Sequence, residues 1–256
     1  MSETAERSEP EASGSPYDAI ADWYDEWVGA GAPGRVRAHG ARAVEALLDP
    51  VAGQRVCDIA CGQGRVARYL ADQGATVVAV DRSARLLELA RRHEADPPRS
   101  IAYRQGDART LDGLADGAFD GAVCFMALMD IPDLEPTVRS VARVLRPGGW
   151  FAFALLHPCY HTACSGELQT PEGLVRTVGA YFDEGYWRSD RRVGPPGRVG
   201  AYHRTLSTYL NALLDAGLAP ERFGEPRATG DAAAQRPVWA EVPAVLVGRC
   251  RRVACG

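Results

Sequence analysis

The stretch Val56-Cys57-Asp58-Ile59-Ala60-Cys61-Gly62-Gln63-Gly64-Arg65 decides the fold. It runs from an apolar strand through a glycine loop into the start of a helix, a connection that lets a ligand approach the backbone closely. The spacing Gly62-x-Gly64-x-x-Ala67 also satisfies the dinucleotide fingerprint, although one such match carries little weight. Asp58 breaks the tie. A carboxylate at the strand end, facing the crevice, repels a pyrophosphate and attracts an ammonium group.

Outward from this loop, short apolar runs alternate with amphipathic stretches: RVCDI, GRVARYLADQG, TVVAV, SARLLELARRHEA and IAYRQ, a βαβαβ pattern. The unbroken apolar character of VVAV, DGAVCF and WFAFALL predicts strands buried on both faces, hence a mainly parallel sheet covered by helices. A helix from Asp133 to Leu145 ends at Arg146-Pro147-Gly148-Gly149, where proline and glycine turn the chain into a fifth strand. Upstream, Ile20, Trp23, Tyr24 and Trp27 form an aromatic stripe on a short helix from Tyr17 to Val28, and a second helix is expected from Arg35 to Leu48. The stripe reads either as core packing or as a lid over a ligand. After Leu156 an aromatic, glycine- and proline-rich stretch runs to about His203, too long for an ordinary connection and therefore read as a substrate cover. A helix from Arg204 to Ala216 and a final strand in VPAVLVGRC close the chain.

Composition narrows the chemistry. All 29 basic residues are arginine, so neither a lysine Schiff base nor a P-loop lysine is possible. With 33 acidic residues the net charge is 29 − 33 = −4, which gives no global attraction to nucleic acid or to an anionic membrane. No run approaches the roughly 20 apolar residues of a membrane helix, and residues 1–15 read as a polar, flexible tail unlike a signal peptide. A cytoplasmic location is the expectation. Seven cysteines, two of them in the loop at Cys57 and Cys61, fit reduced thiols better than a disulfide framework.

Two further acids follow the next strands. Asp81, seventeen residues past Gly64, suits the two hydroxyls of a ribose, and Asp107 suits the amino group of adenine. Each alone could be a loop or helix cap; three at successive strand ends favour a cationic nucleoside. S-adenosylmethionine, with an ammonium, a sulfonium and no phosphate, meets that requirement.

Through VCDIACGQGRVARYLA, VVAVDRSARLLELA, YRQGDARTL, FDGAVCFMALMDIPD and VLRPGGWFAFALLHP the chain resembles the class I S-adenosylmethionine-dependent methyltransferases, from about Tyr17 to Leu156 with a weaker echo to the C-terminus. The resemblance implies an α/β, Rossmann-like three-layer sandwich with a seven-stranded, mostly parallel sheet and an antiparallel last strand near Val242 to Gly248. It implies that Asp58 contacts the methionine end, that Gly62 and Gly64 let the loop pass the cofactor, that Asp81 binds ribose, and that Asp107 with Ala108 lines the adenine site. Tyr24, Arg82 and Phe125 complete the expected cofactor-binding set. Ala60 stands where the family usually has glycine, and its methyl group crowds the loop. The implied organisation is one methyltransferase domain over 16–256, with a helical lid at 16–50 and an acceptor-site cover inserted at 157–203. A looser resemblance, in HPC at 157–159 and YHRTLSTYLNALLDAG, is to small-molecule methyltransferases, many from bacterial natural-product pathways.

Methyl transfer is an in-line displacement at an activated carbon, so alignment supplies much of the acceleration. An O, N or C nucleophile also has to shed a proton, and His157, at the rim after the fifth strand, is the expected general base; the alternative is a hydrogen bond to a loop carbonyl beside Pro158. Tyr160, Tyr181, Phe182, Tyr186, Trp187 and Tyr202 suit an aromatic or hydrophobic small-molecule acceptor, or equally a small auxiliary core. Arg188, Arg191, Arg192 and Arg198 could bind an acceptor anion, with a solvated surface as the simpler reading. His157, Cys159, His161 and Cys164 are spaced too tightly for a familiar zinc module, so no metal is expected. Competing readings are an NAD-dependent oxidoreductase, a protein or RNA methyltransferase, and a non-catalytic S-adenosylmethionine-binding module. Neither the acceptor nor the oligomeric state follows from the sequence.

Overall fold

A computed structural model describes residues 14–29, 35–94, 99, 101–171, 173–189 and 194–253. The expected tail thus lies almost wholly outside the described residues, as do Arg191 and Arg192.

A 3-10 turn at Asp18–Ile20 leads into α1 (Ala21–Gly29), followed by α2 (Arg35–Glu45). The alternating unit comes next: β1 (Arg55–Ile59), α3 (Arg65–Asp72), β2 (Thr76–Asp81), α4 (Ala84–His93), β3 (Ile101–Gln105), β4 (Phe119–Phe125), α5 (Leu134–Val144) and β5 (Leu145–Leu156). The insertion folds as a hairpin, β6 (Gly166–Thr170) with β7 (Gly173–Thr177), and a second pair, β8 (Gly185–Trp187) with β9 (Ala201–His203), flanking the short α6 (Pro195–Arg198). The chain finishes with α7 (Leu206–Asp215), β10 (Leu218–Gly224), α8 (Gly230–Gln235) and β11 (Val245–Arg252).

The main sheet has seven strands in the order β10-β11-β5-β4-β1-β2-β3. β1 pairs in parallel with β2 and β4, β2 with β3 and β4 with β5, whereas β11 runs antiparallel to both β5 and β10. The antiparallel strand falls at Val245–Arg252, three residues later than expected. β1 and β2 are buried from their second residue onward, because helices cover both sheet faces. The helices dock by apolar faces: Ala67 and Leu70 on α3, and Leu86, Leu87, Leu89 and Ala90 on α4, are buried. Ser83 and Thr205 cap α4 and α7 by accepting from the backbone N–H three residues on, at 3.0 and 3.3 Å. Arg146-Pro147-Gly148-Gly149 ends α5 as expected, but it lies within β5 as an irregularity: Leu145 pairs with Phe119, and regular pairing resumes at Gly121 with Trp150. A Cβ on Gly121 would sit 2.0 Å from the Trp150 ring, so only glycine lets that indole cross the strand.

The strand order reverses between β1 and β4. At such a switch point the loops after neighbouring strands diverge and leave a crevice at the carboxyl ends.

Candidate functional site

That crevice is the main cavity, with about 1080 Å³ of space free of atoms when its open mouth is included. It is lined after β1 by Asp58, Ala60, Cys61, Gly62 and Gln63, after β2 by Asp81 and Arg82, and after β3 by Gly106, Asp107, Ala108 and Arg109. Phe125, Met126, Ala127, Asp130, Ile131 and Pro132 form the wall after β4, and Ser15, Pro16 and Tyr17 ahead of the 3-10 turn cover it together with Tyr24 and Val28 of α1.

Asp58 is 1% exposed, and its Oδ2 has no hydrogen-bond partner in the protein. Burial, with Asp81 nearby, raises its carboxyl to about 8 despite the Ala67 N–H. A buried carboxyl with an unused oxygen at the cavity floor is a site for a cationic group, because the uncompensated anion is costly and a partner ion relieves it. Two residues beyond, Ala60 adopts a left-handed φ of 55°, as does Gly62 at 56°. This explains the family's glycine at position 60: alanine is accommodated there, with the strain of a Cβ in the left-handed region.

Asp81 is buried and binds the loop from beneath. Its Oδ2 accepts from the Gly62 N–H at 2.7 Å and its Oδ1 from the Ser83 N–H at 2.8 Å. Burial raises its carboxyl above the usual range, and these two amides together with that of Arg82 oppose the rise. A carboxylate offers about four acceptor positions, so capacity remains for a ribose hydroxyl. The residues present therefore fit S-adenosylmethionine: a buried carboxyl with an unpartnered oxygen, which ionises against its ammonium, and a second carboxyl as acceptor for its ribose.

At the third strand end, Asp107 and Ala108 line the cavity as expected, and Arg82, Phe125 and Tyr24 line it too. Arg109, absent from the sequence reading, grips Asp107 through Nε and Nη2. Asp130 was likewise missed, although it follows the fourth strand as the other acids follow theirs; the Tyr17 hydroxyl donates to its Oδ2 at 2.9 Å. The N-terminal helix is fastened to α4 by acids on one face. Asp18 accepts from the Ser83 hydroxyl and the Arg85 N–H, Asp22 pairs with Arg85, and Asp25 lies 2.9 Å from His93 Nε2. The aromatic stripe divides accordingly, Tyr24 facing the cavity while the Arg198 guanidinium lies 3.9 Å over the Trp23 ring.

Three expected members are placed elsewhere. Gly64 does not line the cavity; a Cβ there would lie 2.6 Å from the Tyr103 hydroxyl and 3.0 Å from Ala90, so packing beneath the loop requires the glycine. His157 is outside the cavity, 5% exposed, and occupied at both ring nitrogens. Its Nδ1 accepts from the Cys159 N–H at 3.2 Å, which leaves Nε2 to donate to Glu225 Oε1 at 2.8 Å. Burial lowers its pKa against the opposing pull of Glu225. The geometry is that of a loop cap, with no free lone pair for an acceptor proton. None of the described residues of the insertion at 157–203 lines the main cavity; Pro158, His161, Trp187, Ala201, Tyr202 and His203 instead line a second, smaller crevice with Met129 and Arg204. Arg204 is buried and donates to the carbonyls of Leu128, Ile131 and Pro132, bracing the main cavity's wall from behind.

Comparison with known proteins agrees with this geometry. A family profile described as a methyltransferase domain matches residues 57–153. The crystal structure of an S-adenosylmethionine-dependent methyltransferase from Mesorhizobium loti is 32% identical, with a TM-score of 0.73 over 84% of this chain and 98% of that one. Proteins named ubiquinone biosynthesis O-methyltransferase are 36% identical over 108 residues in Thiobacillus denitrificans and over 112 residues in Paracidovorax citrulli. These alignments cover 42% and 43% of this chain and 47% of each relative, so the chain matches about half the length of those proteins. No helix among the described residues is long and apolar enough to cross a membrane. From the Asp58 loop, the strand order and a likeness spanning nearly the whole of a solved relative, the chain belongs to the class I S-adenosylmethionine-dependent methyltransferase family.

Proposed function

We propose that this protein transfers a methyl group from S-adenosylmethionine to an oxygen of a small aromatic or hydrophobic acceptor, leaving S-adenosylhomocysteine. The observation that carries the reading is the buried Asp58 carboxyl with its unpartnered oxygen, facing a cavity whose remaining wall is largely apolar. When bound, the cofactor supplies a methyl group already activated by its sulfonium. The chain's own work is holding and alignment. Asp58 takes the ammonium, Asp81 the ribose, and Asp107 with Ala108 the adenine, while Arg82 and Phe125 line the space between. Tyr17 and Tyr24 cover the cavity and keep water from it, and displacement then draws on the advantage of a fixed geometry, up to about 10⁵–10⁸ M in effective concentration. With His157 held as a cap, the Tyr17–Asp130 pair is the proton acceptor in this reading: both line the cavity, and the Tyr17 hydroxyl already donates to Asp130 Oδ2.

Oxygen is favoured as the nucleophile by the O-methyltransferases among the relatives. Their names point to quinone-type rings, whereas the aromatic insertion suggested natural-product assembly, so the acceptor panel includes hydroxylated benzoquinols and other phenols beside amines and carbon nucleophiles. The test is S-adenosylhomocysteine formation with each acceptor, followed by mass spectrometry of the product. Turnover with phenols alone supports the reading; turnover only with amines or carbon nucleophiles refutes the oxygen assignment. Cofactor binding with no product from any panel member would favour a non-catalytic binder.

A further inference from the structure

We propose that Arg109 is a positioning residue for the nucleoside base, holding the Asp107 carboxylate in one orientation so that the site prefers a 6-amino purine to a 6-oxo purine. The inference rests on the cofactor reading above and concerns a side chain which that reading leaves without a role.

Asp107 and Arg109 both line the cavity. The guanidinium meets the carboxylate side-on: Nη2 donates to Oδ2 at 2.7 Å, and Nε lies 3.0 Å from Oδ2 and 3.1 Å from Oδ1. The Arg109 backbone N–H adds a bond to Oδ1 at 2.9 Å. On its far side, Nη1 donates to Asp133 Oδ2 at 2.8 Å, just ahead of α5. The arginine is therefore fixed at both ends, and through it so is the plane of the Asp107 carboxylate. Burial would raise the Asp107 carboxyl, yet the Arg109 bonds outweigh it and hold it below the usual range.

An ionised carboxylate accepts and cannot donate. It meets the N–H of an exocyclic amino group favourably, while a 6-oxo base turns a second oxygen toward it. A site built on a hydrogen bond to a ligand N–H rejects the analogue that lacks it, because a polar group is left without its partner. Lysine would keep the charge of Arg109 but lose the planar fork that sets the direction.

The experiment measures, by calorimetry, the affinities for S-adenosylhomocysteine and S-inosylhomocysteine of the wild type, R109M, R109K, D107N and the R109M/D107N double variant. Each variant's fold is checked by thermal unfolding. A charge-assisted bond predicts a wild-type preference for the amino base of roughly tenfold to a hundredfold. R109M should narrow that ratio at least threefold and R109K should narrow it too, while the double variant should discriminate no less than D107N alone. An unchanged ratio in R109M, with both affinities shifted equally, overturns the inference and leaves Arg109 a structural ion pair. A wild type that binds both ligands equally overturns it as well, and with it the Asp107 assignment. Failure of the wild type to bind S-adenosylhomocysteine at all would instead bring down the cofactor reading.

Discussion

Binding of the cofactor should release protons, and Asp58 sets how many. With its carboxyl at about 8, roughly nine-tenths of free molecules carry that proton at pH 7. An ammonium placed beside a carboxyl lowers it by about 1 to 3 units, so the bound value falls to roughly 5 to 7. The ligand's own α-ammonium, held up by the carboxylate on the same carbon, is already charged at pH 7 and takes up almost nothing. The net release is therefore about four-tenths to nine-tenths of a proton per S-adenosylhomocysteine bound at pH 7. Calorimetric titration in buffers of differing ionisation enthalpy reads this number directly. Asp58→Asn should abolish the release and weaken binding. It should also raise the free protein's melting temperature at pH 8: a carboxyl raised in the folded state contributes stability that is present below about 4 and lost as pH rises toward about 8. Zero release by the wild type, or release equal to that of Asp58→Asn, would refute the assignment of Asp58 to the ammonium.

Three further outcomes are expected. Asp81→Ala should weaken S-adenosylhomocysteine at least about tenfold, because the ribose acceptor and the carboxylate under Gly62 and Ser83 go together; unchanged calorimetric affinity would remove Asp81 from the site. Ala60→Gly should stabilise the protein by about 0.5–1 kcal/mol, the relief of a left-handed alanine less the chain entropy of glycine, read as a higher unfolding midpoint. A clear loss of stability would contradict the strain. His157→Ala should cost about 1–3 kcal/mol in denaturant unfolding through the lost Glu225 and Cys159 bonds, with cofactor affinity unchanged; full stability combined with collapsed turnover would return His157 to the catalytic set.

The central α/β unit was legible because buried parallel strands are unbroken apolar runs and their helices carry clean apolar faces. The acids at 58, 81 and 107 were legible because a strand end fixes where a side chain stands relative to the crevice. What was missed has physical reasons. β10 was not read because Leu218–Gly224 is an outer strand with exposed Glu221 and Arg222 and a proline, so no alternation marks it. The β6–β7 hairpin is mostly exposed, and although Leu168 stands opposite Val175 it has no buried apolar face to detect. His157 shows the limit of position along a chain: it follows a strand at the right rim, yet its ring turns to Glu225, and nothing in one dimension gives that direction. Gly64 fits a cofactor loop by spacing, whereas its neighbours Tyr103 and Ala90 come from distant elements. Arg109 needed the fold to bring Asp133 within reach, but Asp130 extended a pattern already visible at three other strands.

Equilibrium dialysis of the wild-type chain against labelled S-adenosylmethionine and against labelled NADH, side by side, probes the electrostatic basis of the site most directly. The expected result is one equivalent of the sulfonium nucleoside retained, displaced by S-adenosylhomocysteine, with no NADH held. Retention of NADH together with indifference to S-adenosylmethionine would contradict it.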